Sequence, residues 1–262
     1  MELLGPHELA HVFAQLTDPA DMARVRAVCR EWRELMSPPH INGKLITDIL
    51  RLTPNEILET ACRAGSLDLA KCAVSSGATD FNSGLYSACY GGQKDIAELM
   101  CEHGATKFDS GLYGACERGH KEIAELMISR GATDFDLGLY GACRSSHKEL
   151  AELMCGLGAT DFNSGLRGAC GSSQKDGRRK QKDIVELMIN HGASDFDGGL
   201  SFACLCGRKE AAERMIRYGA TDFNKGLGYA CIGDHRELVE LMISRGATAI
   251  CYYCGKLAAE HV

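Results

Sequence analysis

Apolar residues recur at helical spacing through most of the chain, and residues 111–137 show the pattern most simply. Leu112, Ala115 and Cys116 lie on one face of a predicted first helix, which Gly119 ends. A polar His-Lys-Glu segment then opens a second helix, whose stripe at i, i+3 and i+4 is Ile123, Leu126 and Met127. Gly131 is expected to end that helix, and a short polar connection at 133–136 follows. The pattern predicts a pair of short helices.

This helix pair repeats along the chain. A Gly-Ala-Thr triplet, once Gly-Ala-Ser, marks each repeat, and successive triplets lie 27, 27, 27, 34, 27 and 27 residues apart. Their glycines are Gly77, Gly104, Gly131, Gly158, Gly192, Gly219 and Gly246. A fixed period of this kind indicates a stacked array in which each unit buries its apolar face against its neighbours. An array presents a long surface, so the pattern favours binding over catalysis.

Three residue types occupy fixed positions in the repeat, and each is predicted to form inter-repeat core. The methionines are Met100, Met127, Met154, Met188, Met215 and Met242. The phenylalanines are Phe81, Phe108, Phe135, Phe162, Phe196 and Phe223. The cysteines, half of the 14 in the chain, are Cys62, Cys89, Cys116, Cys143, Cys170, Cys204 and Cys231. Equivalent positions in stacked helices lie ~8–10 Å apart, which is too far for a disulfide, so buried thiols in a reducing compartment are predicted.

The repeat resembles the ankyrin repeat. Residues 119–132, GHKEIAELMISRGA, resemble the ankyrin segment G-H-x-E-I-V-x-L-L-L-x-x-G-A, and LYGAC at 112–116 resembles L-H-x-A-A. The period departs from the family, at 27 residues instead of ~33, and the missing residues fall where ankyrin repeats carry a hairpin finger. The resemblance implies an all-α fold, an α-solenoid of short ankyrin-like helix pairs with truncated fingers, over residues 54–262. A degenerate C-terminal cap is expected at its end.

The first forty residues do not follow the period. Leu9, Val12, Phe13 and Leu16 share one predicted helical face, and a second amphipathic helix is predicted after Asp18-Pro19. The sequences PHELAHVFAQL at 6–16 and DMARVRAVCREW at 21–32 resemble the F-box pattern L-P-x-E-L-x-x-x-I-F-x-x-L followed by D-L-x-x-x-x-x-V-C-R-x-W. Gly5 departs from it, since the family has Leu there. The alternative is a capping hairpin that only seals the end of the array.

The F-box resemblance implies docking on a Skp-type adaptor and, through it, on a cullin-RING ubiquitin ligase. The expected adaptor-binding residues are Pro6, Glu8, Leu9, Val12, Phe13, Leu16, Met22, Val25 and Trp32. F-box proteins with ankyrin repeats are similar to proteins of large DNA viruses, which suggests a host-virus interaction. The predicted organisation is therefore an F-box-like helical domain at 1–40, a connector at 41–53 and the repeat array at 54–262.

The array is expected to bind the target protein through positions that vary between otherwise similar repeats, on one inner face. The first set follows the Ala-Cys pair and comprises Tyr90, Glu117, Arg118, Arg144, Leu205 and Ile232. The second set precedes the Gly-Ala pair and comprises His103, Arg130, Leu157, His191, Tyr218 and Arg245. Aromatic residues and arginine are common at interfaces, although unconstrained surface also varies.

The single 34-residue repeat carries a basic insertion. The sequence QKDGRRKQKD at 174–183 contains the triplet QKD twice, so the extra length resembles a local duplication. The cluster of cations is interpreted either as a nuclear-import or acidic-partner patch or as a solvated turn.

Charge and motifs exclude several other functions. A net charge of −6 argues against general nucleic-acid or anionic-membrane binding, and no apolar run reaches the ~20 residues of a membrane helix. No phosphate-binding loop or catalytic constellation stands out, so no enzyme activity and no cofactor are predicted. Cys251, Cys254 and His261 are at most half a metal site, and His120, His147 and His235 are interpreted as helix-capping residues.

These observations predict a substrate receptor of a cullin-RING ubiquitin ligase, monomeric and cytoplasmic, with nuclear entry through the insertion as an option. The rival is an ankyrin-like scaffold or decoy with no ligase connection. The identity of the target protein is not legible in the sequence.

Overall fold

The computed structural model describes residues 53–172 and 178–248, without the side chains of 178–180. The described residues contain fourteen helices and no strand. In chain order they are α1 Pro54–Ala64, α2 Leu67–Ser75, α3 Phe81–Gly91, α4 Lys94–Glu102, α5 Phe108–Arg118, α6 Lys121–Ser129, α7 Phe135–Arg144, α8 Lys148–Gly156, α9 Phe162–Cys170, α10 Arg178–Asn190, α11 Phe196–Leu205, α12 Lys209–Tyr218, α13 Phe223–Ile232 and α14 Arg236–Ser244. The predicted all-α fold of short helix pairs is confirmed.

The helices divide into two compact units, one ending at Lys107 and the other beginning at Phe108. In the first unit, α1 packs on α2 and α3, and α3 packs on α4. In the second unit, α5, α7, α9 and α11 each pack on their own partner helix and on the first helix of the next pair, and α13 packs on α14. Within each unit, the odd helices therefore form one layer and the even helices form a second layer.

The core of each repeat consists of small and medium-sized residues. The six repeat methionines have no exposed surface, as predicted, and six of the seven repeat cysteines are buried, Cys231 being half-buried. Burial raises the pKa of Cys116 and of Cys204 to about 12. These thiols therefore stay protonated and act as small apolar side chains.

Glycine allows the two helices of a pair to approach each other around methionine. A Cβ on Gly199 in α11 would lie 2.7 Å from Sδ of Met215 and 3.3 Å from Sγ of Cys170. Equivalent contacts with the methionine of the same repeat occur at Gly84, Gly138, Gly165 and Gly226. These five repeats thus join a glycine of the first helix and a methionine of the second to a cysteine or leucine of the preceding repeat.

The phenylalanines do not lie where the sequence suggested. Each is the first residue of its helix and is half-buried, not part of the sealed core. The predicted polar connection at 133–136 is shorter than expected because α7 begins at Phe135, and Asp134 caps it by accepting a hydrogen bond from the Leu137 amide at 2.9 Å. Asp80, Asp161, Asp195 and Asp222 cap their helices in the same way. Phenylalanine is therefore a helix-start residue that covers the end of the pair.

The predicted helix boundaries elsewhere agree with the structure. At the start of α1, Thr53 and Glu56 form a capping box, in which the Thr53 amide donates to the Glu56 carboxylate at 2.7 Å. Gly119 and Gly131, at φ of 79° and 107°, follow α5 and α6 in the left-handed conformation that favours glycine. The predicted C-terminal cap, beyond Thr248, lies outside the described residues.

Candidate partner-binding surface

A set of hydrogen bonds that was not predicted from the sequence links each repeat to the next. The residue after the helix-start phenylalanine is always Asn or Asp, and its Oδ1 accepts hydrogen bonds from backbone amides of the following repeat. Asp109 accepts from Thr133 at 2.7 Å and from Asp134 at 2.9 Å. The same role is played by Asn82, Asp136, Asn163, Asp197 and Asn224, and by Asn55, which follows Pro54 at the start of α1. Only Asn and Asp occur at this position of the repeat, and the hydrogen-bonding group that the two side chains have in common is an accepting oxygen. This restriction was the sequence signal for the contact.

The first set of candidate residues lies at the C-terminal ends of the odd helices. In the second unit two of these side chains, Glu117 and Arg144, belong to a cluster with two stacked tyrosines, Tyr113 and Tyr140, whose ring centroids lie 6.5 Å apart. Arg144 lies 3.7 Å from the Glu117 carboxylate and donates to the Tyr113 hydroxyl at 3.5 Å. Burial and then the negative charge of Glu117 raise the pKa of Tyr113 to about 12. The cluster offers a neutral aromatic surface beside an exposed arginine.

The second set lies at the opposite end of the helix pairs. Its members are at or just beyond the C-termini of the even helices, where three of them pack on helix-start phenylalanines. The ring centroids of Phe81 and His103 lie 5.4 Å apart. The corresponding pairs are Phe162–His191 at 5.0 Å and Phe196–Tyr218 at 5.8 Å. A ten-residue helix is ~15 Å long, so within a repeat the two positions lie at opposite ends of the helix pair. We refer to the two sets as the first row and the second row.

Exposure differs among the candidates. Arg118, Arg130, Arg144, Arg245, His103 and His191 are exposed, whereas Tyr90, Glu117 and Leu205 are half-buried. Among the described residues, the large apolar side chains with the greatest exposure are Ile232 at 44% and Leu157 and Tyr218 at 38% each. The candidates with free apolar area therefore fall at α8, α12 and α13 in the second unit.

The histidines at the starts of the even helices do not cap those helices. No side-chain capping bond is formed by His120, His147 or His235. The His235 ring instead makes a hydrogen bond of 3.1 Å with the carbonyl oxygen of Leu205 in the preceding repeat. The His147 ring lies against Gly119, where an added Cβ would come within 2.5 Å of it. These rings contact the neighbouring repeat, which corrects the capping interpretation.

Part of the basic insertion is helical. The helix α10 begins at Arg178 and has 13 residues, whereas its counterpart α6 has 9. The Gln181 side chain donates to the carbonyl oxygen of Ala169 at 2.8 Å, which fixes the added turn on α9. Residues 178–181 are therefore not a solvated turn, and residues 173–177 lie outside the described part of the chain.

A cationic pocket lies between α10 and α12 and was not predicted. It has a volume of about 280 Å³ and is lined by Lys182, Glu186, Arg214, Arg217 and Tyr218. Arg214 stands where five other repeats carry leucine (Leu99, Leu126, Leu153, Leu187 and Leu241). Arg214 could have been recognised from the sequence as an exception by comparing the repeats at this position.

The described residues contain no helix long and apolar enough to cross a membrane. They also contain no group of three His, Cys, Asp or Glu side chains placed to hold a metal ion. Cys251, Cys254 and His261 lie outside them. The predicted adaptor-binding residues, Pro6 to Trp32, lie outside them as well.

Comparison with known proteins identifies the N-terminal segment. Residues 6–41 match the F-box-like family. The crystal structure of the human ASB11 ankyrin repeat domain is similar at 20% sequence identity, covering 73% of this chain and 98% of that chain with a TM-score of 0.45. No curated protein matches the sequence. The F-box-like match at residues 6–41 indicates an adaptor role for that segment.

Proposed function

We propose that the protein is a substrate receptor of a cullin-RING ubiquitin ligase. The observation that carries this proposal is the F-box-like match at residues 6–41, joined in one chain to an array of helix pairs. The F-box-like domain binds a Skp-type adaptor, and the repeats bind a target protein. The protein acts by proximity, because holding the target beside the ligase raises its effective concentration there.

The two rows of the repeat array support the second half of this proposal. They combine exposed arginine with half-exposed aromatic and aliphatic side chains on a scaffold of packed helices. Aromatic residues and arginine are enriched where proteins bind proteins. We expect Ile232 in the first row and Tyr218 in the second row to contribute most, since they are among the large apolar side chains with the greatest fractional exposure in the described residues.

The adaptor interaction has a direct test. The full chain is incubated with a purified Skp-type adaptor, and the affinity is measured for the natural sequence and for the variants Leu9→Ala and Trp32→Ala. We expect each variant to bind at least about 10-fold more weakly, because both residues belong to the matched segment and large apolar residues dominate such interfaces. Gln15→Ala is the matched control, since Gln15 is a polar residue of the same segment outside the predicted contact set.

The experiment also decides between the proposal and its rival. If the natural chain does not bind an adaptor under conditions in which a known F-box protein does, the N-terminal segment is a cap and the protein is a scaffold or decoy. Circular dichroism of each variant shows whether the helices remain folded, so that loss of binding is not confused with unfolding.

The compartment and origin follow from the same proposal. Buried free cysteines suit a reducing compartment, so we place the protein in the cytoplasm, with the basic residues at 175–182 as a route to the nucleus. If the chain comes from a large DNA virus, as its architecture suggests, the ligase is that of the host cell.

A further inference from the structure

The pocket between α10 and α12 has an unusual charge for this protein. The chain as a whole carries a net charge of −6, whereas the pocket is lined by three cations and one carboxylate. Lys182 is paired with Glu186 at 3.5 Å across one helical turn. Arg214 and Arg217 form no ion pair within the described residues. The pocket therefore holds two cations that have no ion-pair partner in the described part of the chain.

Arg214 brings a buried donor without an acceptor to the pocket. Its Nη1 atom is buried and has no hydrogen-bond partner within the described residues, as is also true of the Arg208 Nε atom. A buried donor without an acceptor is costly, and the cost is greater for a charged group. The positive charge of Arg214 also affects a thiol of the core. Burial raises the pKa of Cys170 to about 12, whereas the charge of Arg214 acts to lower that pKa. Since leucine fills this position in five other repeats, the scaffold does not require arginine here.

The remaining walls define what kind of anion fits. The Tyr218 side chain is 38% exposed and stacks on Phe196 at a centroid distance of 5.8 Å, which provides an aromatic wall beside the cations. A volume of about 280 Å³ accommodates one side chain that ends in an anionic group. Arginine guanidinium binds carboxylate and phosphate with paired hydrogen bonds. The acidic surface elsewhere and Glu186 in the wall disfavour a long polyanion such as nucleic acid.

We infer that this pocket binds an anionic side chain, a carboxylate or a phosphate, of a peptide segment in the protein partner, with Arg214 and Arg217 as the recognising residues. The inference rests on the proposed function only in identifying that partner as the ligase target. It gives the target a chemical class: an acidic or phosphorylated segment with an anionic side chain flanked by a residue that packs on Tyr218.

The repeats themselves supply variants that should fold. Arg214→Leu restores the residue of five other repeats, and Arg217→Ser restores the residue at Ser75, Ser129 and Ser244. Lys148→Gln is the control, because Lys148 is the counterpart of Lys182 in another repeat and removes one exposed cation from the same helical position. Thermal unfolding followed by circular dichroism checks that all variants keep the helical array.

The binding test uses three fluorescein-labelled peptides with the full chain: hexaglutamate, a Gly-Ser peptide with one phosphoserine, and hexaglutamine. We expect one or both anionic peptides to bind by fluorescence anisotropy at 0.15 M salt, and hexaglutamine not to bind. The double variant Arg214→Leu/Arg217→Ser should weaken binding at least about 10-fold, since two charge-assisted contacts are lost. Lys148→Gln should change the affinity less than about twofold, as expected for an exposed charge.

The two anionic arms identify the source of the anion, carboxylate or phosphate. The inference is overturned if neither anionic peptide binds, if the double variant binds as tightly as the natural chain, or if a single-stranded RNA oligonucleotide is the only anion retained. None of these outcomes depends on the adaptor. A failure here therefore leaves the adaptor experiment unaffected, and the two proposals can fail separately.

Discussion

Two helix pairs of the second unit, α5–α6 and α11–α12, share one scaffold but differ at their surface. Met127 and Met215 are both fully buried, and Asp109 and Asp197 both accept hydrogen bonds from the amides of the next repeat. The surfaces diverge, since Leu126 in α6 corresponds to Arg214 in α12. The comparison teaches that constant positions build the helix pairs, and that departures from them mark the places where we propose that a partner is recognised.

The largest expected effect tests whether the two cores are equivalent. Met127→Ala and Met215→Ala each leave a cavity in a sealed core, so each should lower the free energy of unfolding by about 2–5 kcal/mol. Urea unfolding of the full chain measures both. A loss below 1 kcal/mol in only one variant would show that the two pairs do not share a common core.

A second variant tests the close approach of the two helices in the α11–α12 pair. Gly199→Ala places a methyl group within 2.7 Å of Met215 Sδ, so overpacking should lower the free energy of unfolding by about 1–3 kcal/mol. Gly228→Ala in α13 is the control, because a Cβ there meets nothing within 4 Å. The control should stabilise the helix by about 0.5–1 kcal/mol, and the comparison fails if both changes have the same sign.

The hydrogen bonds between repeats predict different losses of stability for two substitutions at Asp109. Asp109→Ala removes the acceptor for the Thr133 and Asp134 amides and should cost about 1–2 kcal/mol of stability. Asp109→Asn keeps the accepting oxygen and should cost a few tenths, as Asn82 and Asn163 already occupy the position. Thermal unfolding resolves the two. Equal losses would contradict the role assigned to Oδ1.

The two pairs also differ in how their first helices begin. Asp195 caps α11 by accepting from the Gly198 amide at 2.8 Å, whereas Lys107 precedes α5 and has no accepting oxygen in its side chain. Lys107→Asp should therefore raise the free energy of unfolding by about 1 kcal/mol. Lys107→Gln removes the same positive charge without a carboxylate, and a gain as large as that of Asp would attribute the effect to charge alone.

The smallest effect at neutral pH concerns the thiols that both cores share. Burial raises the pKa of Cys116 and of Cys204 from 9.0 to about 12. In the unfolded chain these thiols ionise near pH 9, so the unfolded state binds fewer protons between pH 9 and 12 and stability falls as pH rises through that window. Below pH 8 no change is expected. Cys116→Ala should reduce the alkaline loss, and an unchanged pH profile would refute this account.

Much of the fold was predictable because the same sequence pattern for a helix pair occurs seven times along the chain. The apolar stripes and the glycines that end the helices each follow from local rules, and the structure confirms them. The helix start at Phe135 was missed because a large apolar residue after Asp reads as part of a connection, whereas Asp134 is its cap. The Oδ1 contacts were missed because they join residues 24 and 25 positions apart.

The candidate surface was less predictable than the fold. Variation between repeats correctly pointed to exposed positions such as Arg130 and Ile232, but spacing alone did not show that the two sets lie at opposite ends of a helix pair. Arg214 was not predicted as a site residue, because the apolar stripe of the second helix was assumed to be the same in every repeat. Its unpartnered guanidinium becomes visible only when α10 and α12 are placed side by side.

The central claim is that one end of the chain holds the ligase adaptor while the array holds an anionic segment, and a bridging measurement tests it most directly. Beads carrying a Skp-type adaptor are mixed with the full chain and the labelled anionic peptide that it binds, and retained fluorescence is recorded. We predict retention with the natural chain and loss with Trp32→Ala, which still binds the free peptide. Arg214→Leu/Arg217→Ser should stay on the beads without the peptide. Peptide binding by the natural chain in solution with none retained on the adaptor beads would contradict the claim.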